Sequence, residues 1–150
     1  MTASVIVVDA NVVVKLLHEE ADSDAAQRFV RACVEHGARL VAPEHFTYEM
    51  MSVARRLGIA FDHVLALQES LRETILTLVA PDRPAWLLAE RIAKTGHPSS
   101  GFPSIYDSIY HALAIEASGT FVTADGRHLA KADGFGHAML LKDWKSLWPR

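Results

Sequence analysis

Four acidic side chains stand where a folded chain has little structural use for them: Asp9, Glu49, Asp107 and Asp125. Asp9 closes the β-branched run Val5 to Val8, the pattern of a strand buried on both faces. Asp125 closes Phe121-Val-Thr-Ala in the same way. Glu49 sits among Tyr48, Met50, Met51 and Val53, with no obvious solvated face. Asp107 lies in the apolar stretch from Ser104 to Ala114. Each also has a plain structural use. Asp9, Asn11 or Asp125 can cap the helix that follows, and Glu49 can be an ordinary helix-surface acid. Ser104 and Asp107 have capping-box spacing, with aspartate in place of Glu or Gln. Capping and ligation are compatible. Brought together, four carboxylates oppose one another's ionisation, and a hard divalent cation such as Mg²⁺ or Mn²⁺ relieves the conflict. The chain has no Cys/His zinc spacing, no Gly-rich phosphate loop and no Gly-x-Ser-x-Gly elbow. The chemistry left to an acid-only site is metal-assisted hydrolysis, most naturally of a phosphodiester.

Convergence requires elements that deliver the acids to one place. Strand and helix patterns alternate along the chain. Strands are predicted at Val5–Val8, Arg39–Ala42, Thr74–Val79, Thr120–Thr123 and, weakly, His137–Leu141. Helices are predicted at Val12–Leu17, Ala21–His36, Phe46–Leu57, Phe61–Arg72, Pro84–Thr95, Ser104–Ser118 and Arg127–Ala132, with a last helical turn at Asp143–Trp148. Gly96 to Pro103 is the one clear loop. Alternating strands and helices give a parallel sheet with helices on both faces, the α/β class. In such sheets ligands bind outside the carboxyl ends of the strands, where Asp9 and Asp125 both fall. Thr123 brings a hydroxyl to the same neighbourhood.

At 150 residues the chain is read as one domain, 1–150, with no repeat or dividing linker. Its hydrophobic share of 50% and charged share of 22% are ordinary for a soluble protein. A net charge of −3 gives no overall field for nucleic acid, so a nucleic-acid substrate needs local cations. Arg55 and Arg56 on the Glu49 helix, and Arg127, His128 and Lys131 after Asp125, are the candidates; each reads equally well as a solvated charge. Tyr110 and His111 share a helix face with Asp107 and read as packing and as a satisfied polar contact. Cys33 is the only cysteine, which excludes an internal disulfide, and it reads as a small core residue. Trp86, Trp144 and Trp148 are assigned to packing or an interface. Asp9 interrupts the first apolar run, so no signal segment is read there, and no apolar stretch approaches a membrane span. The expected location is the cytoplasm.

Val-Val-Asp9-Ala-Asn11, Tyr-Glu49, Tyr-Asp107-Ser-Ile-Tyr-His-Ala-Leu-Ala and Val-Thr-Ala-Asp125, in this order and at these spacings, resemble the motifs of a PIN domain. The closer likeness is to the VapC-type toxin ribonucleases of toxin–antitoxin pairs, from Val5 to about Leu141. The resemblance implies a three-layer α/β/α fold with strand order 3-2-1-4-5. It implies Mg²⁺ or Mn²⁺ at Asp9, Glu49, Asp107 and Asp125, with Asn11 and Thr123 as supporting polar groups. It further implies cleavage of RNA by a metal-activated water, homodimerisation and inhibition by a small cognate antitoxin. Other readings are a housekeeping PIN nuclease of RNA maturation, a catalytically dead PIN-like binding module, and a phospho-receiver. Thr123 and Lys142 fit a receiver, but Asp9 lacks a paired acid and the third strand ends without an aspartate.

Overall fold

The computed structural model describes residues 4–96, 99 and 101–149. The chain runs β1 (Val5–Val8), α1 (Ala10–Val13), α2 (Ser23–Glu35), β2 (Arg39–Pro43), α3 (Phe46–Leu57), α4 (Phe61–Thr74), β3 (Leu76–Val79), α5 (Arg83–Ala93), α6 (Ile105–Glu116), β4 (Thr120–Thr123), α7 (Gly126–Ala132) and β5 (Ala138–Leu140). All strand pairs are parallel and the order is β3-β2-β1-β4-β5, as the resemblance implied. A flavodoxin-like receiver orders its strands 2-1-3-4-5, with the third strand beside the first. Here β3 lies at an edge, so the receiver alternative is set aside.

The centre of the sheet follows from composition. Ile6, Val7 and Val8 of β1 and Phe121 and Val122 of β4 are buried, because helices cover both faces. Gly119 lets β4 approach β1: a Cβ there would clash with the Val5 carbonyl oxygen. A second, smaller core joins Ala85, Ala89 and Ile92 of α5 to Ile109 and Ala112 of α6 and Ala132 of α7.

Several boundaries differ from the sequence reading. The first helix begins at Ala10 instead of Val12, because Asp9 caps it. Val14–Leu16 then tightens into a 3₁₀ turn. Thr74 belongs to α4 and not to β3: its hydroxyl donates back to the carbonyls of Ser70 and Leu71, so the helix runs on. The segment after β5 is 3₁₀ helix over Leu141–Leu147. Of the loop from Gly96 to Pro103, residues 97, 98 and 100 lie outside the described residues. Trp148 stacks on His36 with ring centroids 4.4 Å apart, and both Trp144 and Trp148 pack on the core. Cys33 is buried, and burial pushes its thiol up to about 12, the behaviour of a core residue. No helix among the described residues is long and apolar enough to cross a membrane.

Candidate active site

The adjacency of β1 and β4 builds the floor of the site. Asp9 extends the ladder one step past β1, donating its N–H to the Val122 carbonyl at 3.0 Å. That step sets Asp9 beside Thr123, whose hydroxyl donates to Asp9 Oδ2 at 2.8 Å. Asp9 Oδ1 accepts from the Asn11 N–H at 3.4 Å, the capping contact. Asn11 spans the two strand ends: its amide donates to Thr123 Oγ1 at 3.2 Å and its oxygen accepts from the Ala124 N–H at 3.1 Å. Thr123 Oγ1 also accepts from the Asp125 N–H at 3.1 Å. Asn11 and Thr123 therefore hold the two strand ends and their acids in register. Capping and site membership coincide at Asp9.

A crevice of about 400 Å³ opens above this floor, lined by Asp9, Asn11, Glu49, Asp107, Asp125 and Arg127 among others. All four acids reach it, each from a different element. Ser104 caps α6 by accepting from the Asp107 N–H at 3.0 Å, which fixes the turn that presents Asp107. Tyr110, one turn further along, is fully buried and donates its hydroxyl to Glu49 Oε1 at 2.7 Å. His45 Nε2 lies 3.1 Å from the same oxygen, close but without hydrogen-bond alignment. Glu49 itself is only half-buried and Tyr48 is exposed, so the α3 surface is less apolar-walled than its composition implied.

The electrostatics record the crowding. Asp9 is only 4% exposed, and its carboxyl is pushed up to about 7, first by burial and next by the charges of Asp107 and Glu49. Asp107 is raised by burial and by Glu49. Asp125 goes the other way. Arg127 grips it in a forked pair, with contacts of 2.6–3.0 Å, and holds it below the usual carboxylate range. In this arrangement no group of three or more ligands is closed around one point among the described residues. The donor set nonetheless suits a hard cation. It is all carboxylate, and it carries a mutual repulsion that only positive charge or protonation removes.

The five basic candidates separate. Arg127 lines the crevice, and a side cavity of about 270 Å³ next to it adds Lys131. Arg55 and Arg56 are exposed but line neither space. His128 is not a surface cation. It is 4% exposed, its Nε2 lies 2.9 Å from His111 Nδ1, and burial pushes it down to about 4. It and Ala132, one turn apart, form the buried side of α7, which faces α6. His111 is the satisfied polar contact expected, between His128 and the Gly136 carbonyl. Tyr110's hydroxyl on Glu49, and His45 beside it, are not evident from the residues alone. The one available signal was spacing, since His45 precedes Glu49 by one helical turn.

The PIN domain family matches residues 6–134, and the chain belongs to that family. No curated protein matches it in sequence. Its fold is similar to that of VapBC2 from Rickettsia felis, solved bound to a DNA fragment from its promoter. That likeness has a TM-score of 0.67 at 9% identity and covers 91% of this chain and 96% of that one. VapBC-1 from nontypeable Haemophilus influenzae gives 0.67 at 14% identity, over 93% and 99%. Mycobacterium tuberculosis VapC20, a sarcin–ricin-loop-cleaving toxin, gives 0.65 at 16% identity, over 83% and 93%.

Proposed function

We propose that this chain is a metal-dependent endoribonuclease, the toxin of a VapBC-type pair. The observation that carries the reading is the delivery of Asp9, Glu49, Asp107 and Asp125 from four elements to one crevice at the carboxyl edge of the sheet. A Mg²⁺ or Mn²⁺ ion held by these acids would neutralise the scissile phosphate and activate water for in-line attack. The chain's own groups do the rest. Thr123 and Asn11 keep Asp9 aimed and limit its freedom. Tyr110 fixes one oxygen of Glu49, leaving the other to face the crevice. Arg127 is fully exposed beyond its contact with Asp125, so a phosphate can take over its guanidinium fork when Asp125 turns to a cation. Lys131 extends the cationic side of the track. The likeness to VapBC2 and VapBC-1 supports an antitoxin as partner; a homodimer as the working form rests on the motif resemblance alone.

Purified protein should cleave single-stranded or structured RNA in Mg²⁺ or Mn²⁺ and stop in EDTA. Undiminished cleavage in chelator would sink the mechanism. Expression alone should arrest growth, and co-expression with the adjacent small gene should relieve it. Active enzyme that is harmless and forms no complex with that neighbour would favour the second family reading, a housekeeping nuclease of RNA maturation.

A further inference from the structure

Beside the acidic crevice lies a second cavity of about 450 Å³, lined by Glu44, His45, Tyr48, Pro81, Trp86 and Tyr106, with Ile105 and Ile109 behind. Tyr106 lines both spaces. The rings around it are exposed to an unusual degree: Trp86 by 48%, Tyr106 by 60% and Tyr48 by 77%. Single exposed aromatics are ordinary, but several converging on one concavity are not. Part of the wall is fixed, because the His45 ring meets Tyr106 edge-on at 5.4 Å and Tyr110 edge-on at 5.1 Å. Glu44 brings a carboxylate with no hydrogen bond or ion pair among the described residues.

On the nuclease reading proposed above, we infer that this cavity is a nucleobase pocket, selective for guanine, that receives a base adjoining the scissile phosphate. The three spaces form one track. The aromatic cavity joins the acid crevice at Tyr106, and the crevice joins the Arg127–Lys131 cavity at Asp107 and Asp125. A strand with its phosphate over the acids sends one neighbouring nucleotide toward the cations. The other goes toward the rings, and bases splayed from single strands stack on aromatic faces. Size fits one base and its sugar. Chemistry narrows which base. A carboxylate only accepts hydrogen bonds, and guanine alone offers two adjacent donors, N1–H and the 2-amino group, to its two oxygens. Adenine and cytosine set an acceptor beside their donor, and uracil flanks its one N–H with carbonyls, so Glu44 repels part of each edge.

The test uses the cleavage-dead Asp9→Asn protein in Mg²⁺, binding labelled hexauridylate that carries one central guanosine, inosine or abasic site. Stacking should make the guanosine oligomer bind about 5- to 150-fold tighter than the abasic one. Inosine, lacking the 2-amino group, should fall between. Adding Trp86→Ala should erase the guanosine–abasic difference, and Trp86→Phe should restore most of it. Adding Glu44→Gln should erase the guanosine–inosine difference while leaving the abasic penalty. Equal binding of guanosine and abasic oligomers would overturn the pocket, and equal binding of guanosine and inosine would overturn the role of Glu44. A Trp86→Ala protein that changes from dimer to monomer in sedimentation while its base dependence is unchanged would assign the cavity to a second copy and overturn the proposal. Binding is read on the Asp9→Asn protein and cleavage separately on wild type. Cleavage by wild type without base-dependent binding sinks only the pocket; base-dependent binding without cleavage by wild type sinks only the nuclease.

Discussion

Replacing Asp9 by asparagine should reverse the sign of its effect on stability as pH changes. Asp9 titrates at about 7 in the folded protein against 3.8 when unperturbed, so between those values the native state holds a proton that the unfolded chain releases. Stability from this group therefore falls as pH rises from about 4 to 7. A shift of about three units at about 1.4 kcal/mol each puts the loss on the order of 4 kcal/mol. Asparagine removes the charge and keeps the size. It offers one acceptor where the carboxylate uses two, for the Thr123 hydroxyl and the Asn11 N–H, so about 1 kcal/mol returns as a lost hydrogen bond. The expected balance at pH 8 in EDTA is an Asp9→Asn protein more stable by about 3 kcal/mol. At pH 4, where Asp9 is protonated in the native state and only about half ionised in the unfolded chain, the lost hydrogen bond outweighs the charge effect, and the variant should be the less stable by under about 1 kcal/mol. Urea unfolding at both pH values, with matched m-values, reads the difference directly. A mutational effect that is the same at pH 4 and pH 8, or a variant less stable at pH 8, would refute the claim that burial and the neighbouring acids Asp107 and Glu49 hold the Asp9 carboxyl up. Excess Mg²⁺ should then stabilise wild type more than the variant, since ligand stabilises only through its affinity for the native state.

Tyr110→Phe leaves a buried ring of the same shape but frees Glu49 Oε1. It should cost about 1 kcal/mol in chemical unfolding and weaken Mn²⁺ binding by about 10-fold, as loss of a ligand-orienting partner does; unchanged Mn²⁺ affinity would make Tyr110 a packing residue only. RNA affinity should fall steeply with salt, and Arg127→Ala and Lys131→Ala should each lower the log–log slope by about 0.7, whereas Arg55→Ala and Arg56→Ala should leave it alone. Equal slope changes at all four would contradict the track. His128, held down to about 4 by burial, should stay neutral in an NMR titration well below pH 6, and its share of stability should be full above about 6.5 and fade as pH falls toward 4. Titration at the ordinary imidazole value would show that it is not packed against His111.

The sheet was legible because β-branched runs and the acids that end them are local signals. Val5 to Val8 ending in Asp9, and Thr120 to Thr123 followed by Asp125, mark two strands and their carboxyl edges without reference to any other part of the chain. What was not legible depends on partners far away in sequence. The aim of Glu49 is set by Tyr110, 61 residues on. The crowding of Asp9 comes from acids on α3 and α6, and no spacing rule predicts its degree. Residue type alone makes His128 a candidate cation, but its pairing with Ala132 at one-turn spacing marks the buried face of the helix. The Arg127–Asp125 fork escaped helix spacing rules because Asp125 is the cap and not a helical residue. Trp86 and Tyr48 come from different helices, so their meeting around one cavity needs the tertiary fold.

The most direct measurement is an Mn²⁺ titration followed by electron paramagnetic resonance, in which bound ion loses the free-ion signal. Wild type should bind Mn²⁺ saturably, Mg²⁺ should compete, and Asp9→Asn, Glu49→Gln, Asp107→Asn and Asp125→Asn should each weaken binding while the protein remains folded. Mn²⁺ that stays free in the presence of wild type, or binds equally well to all four variants, would show that these acids do not form a metal site.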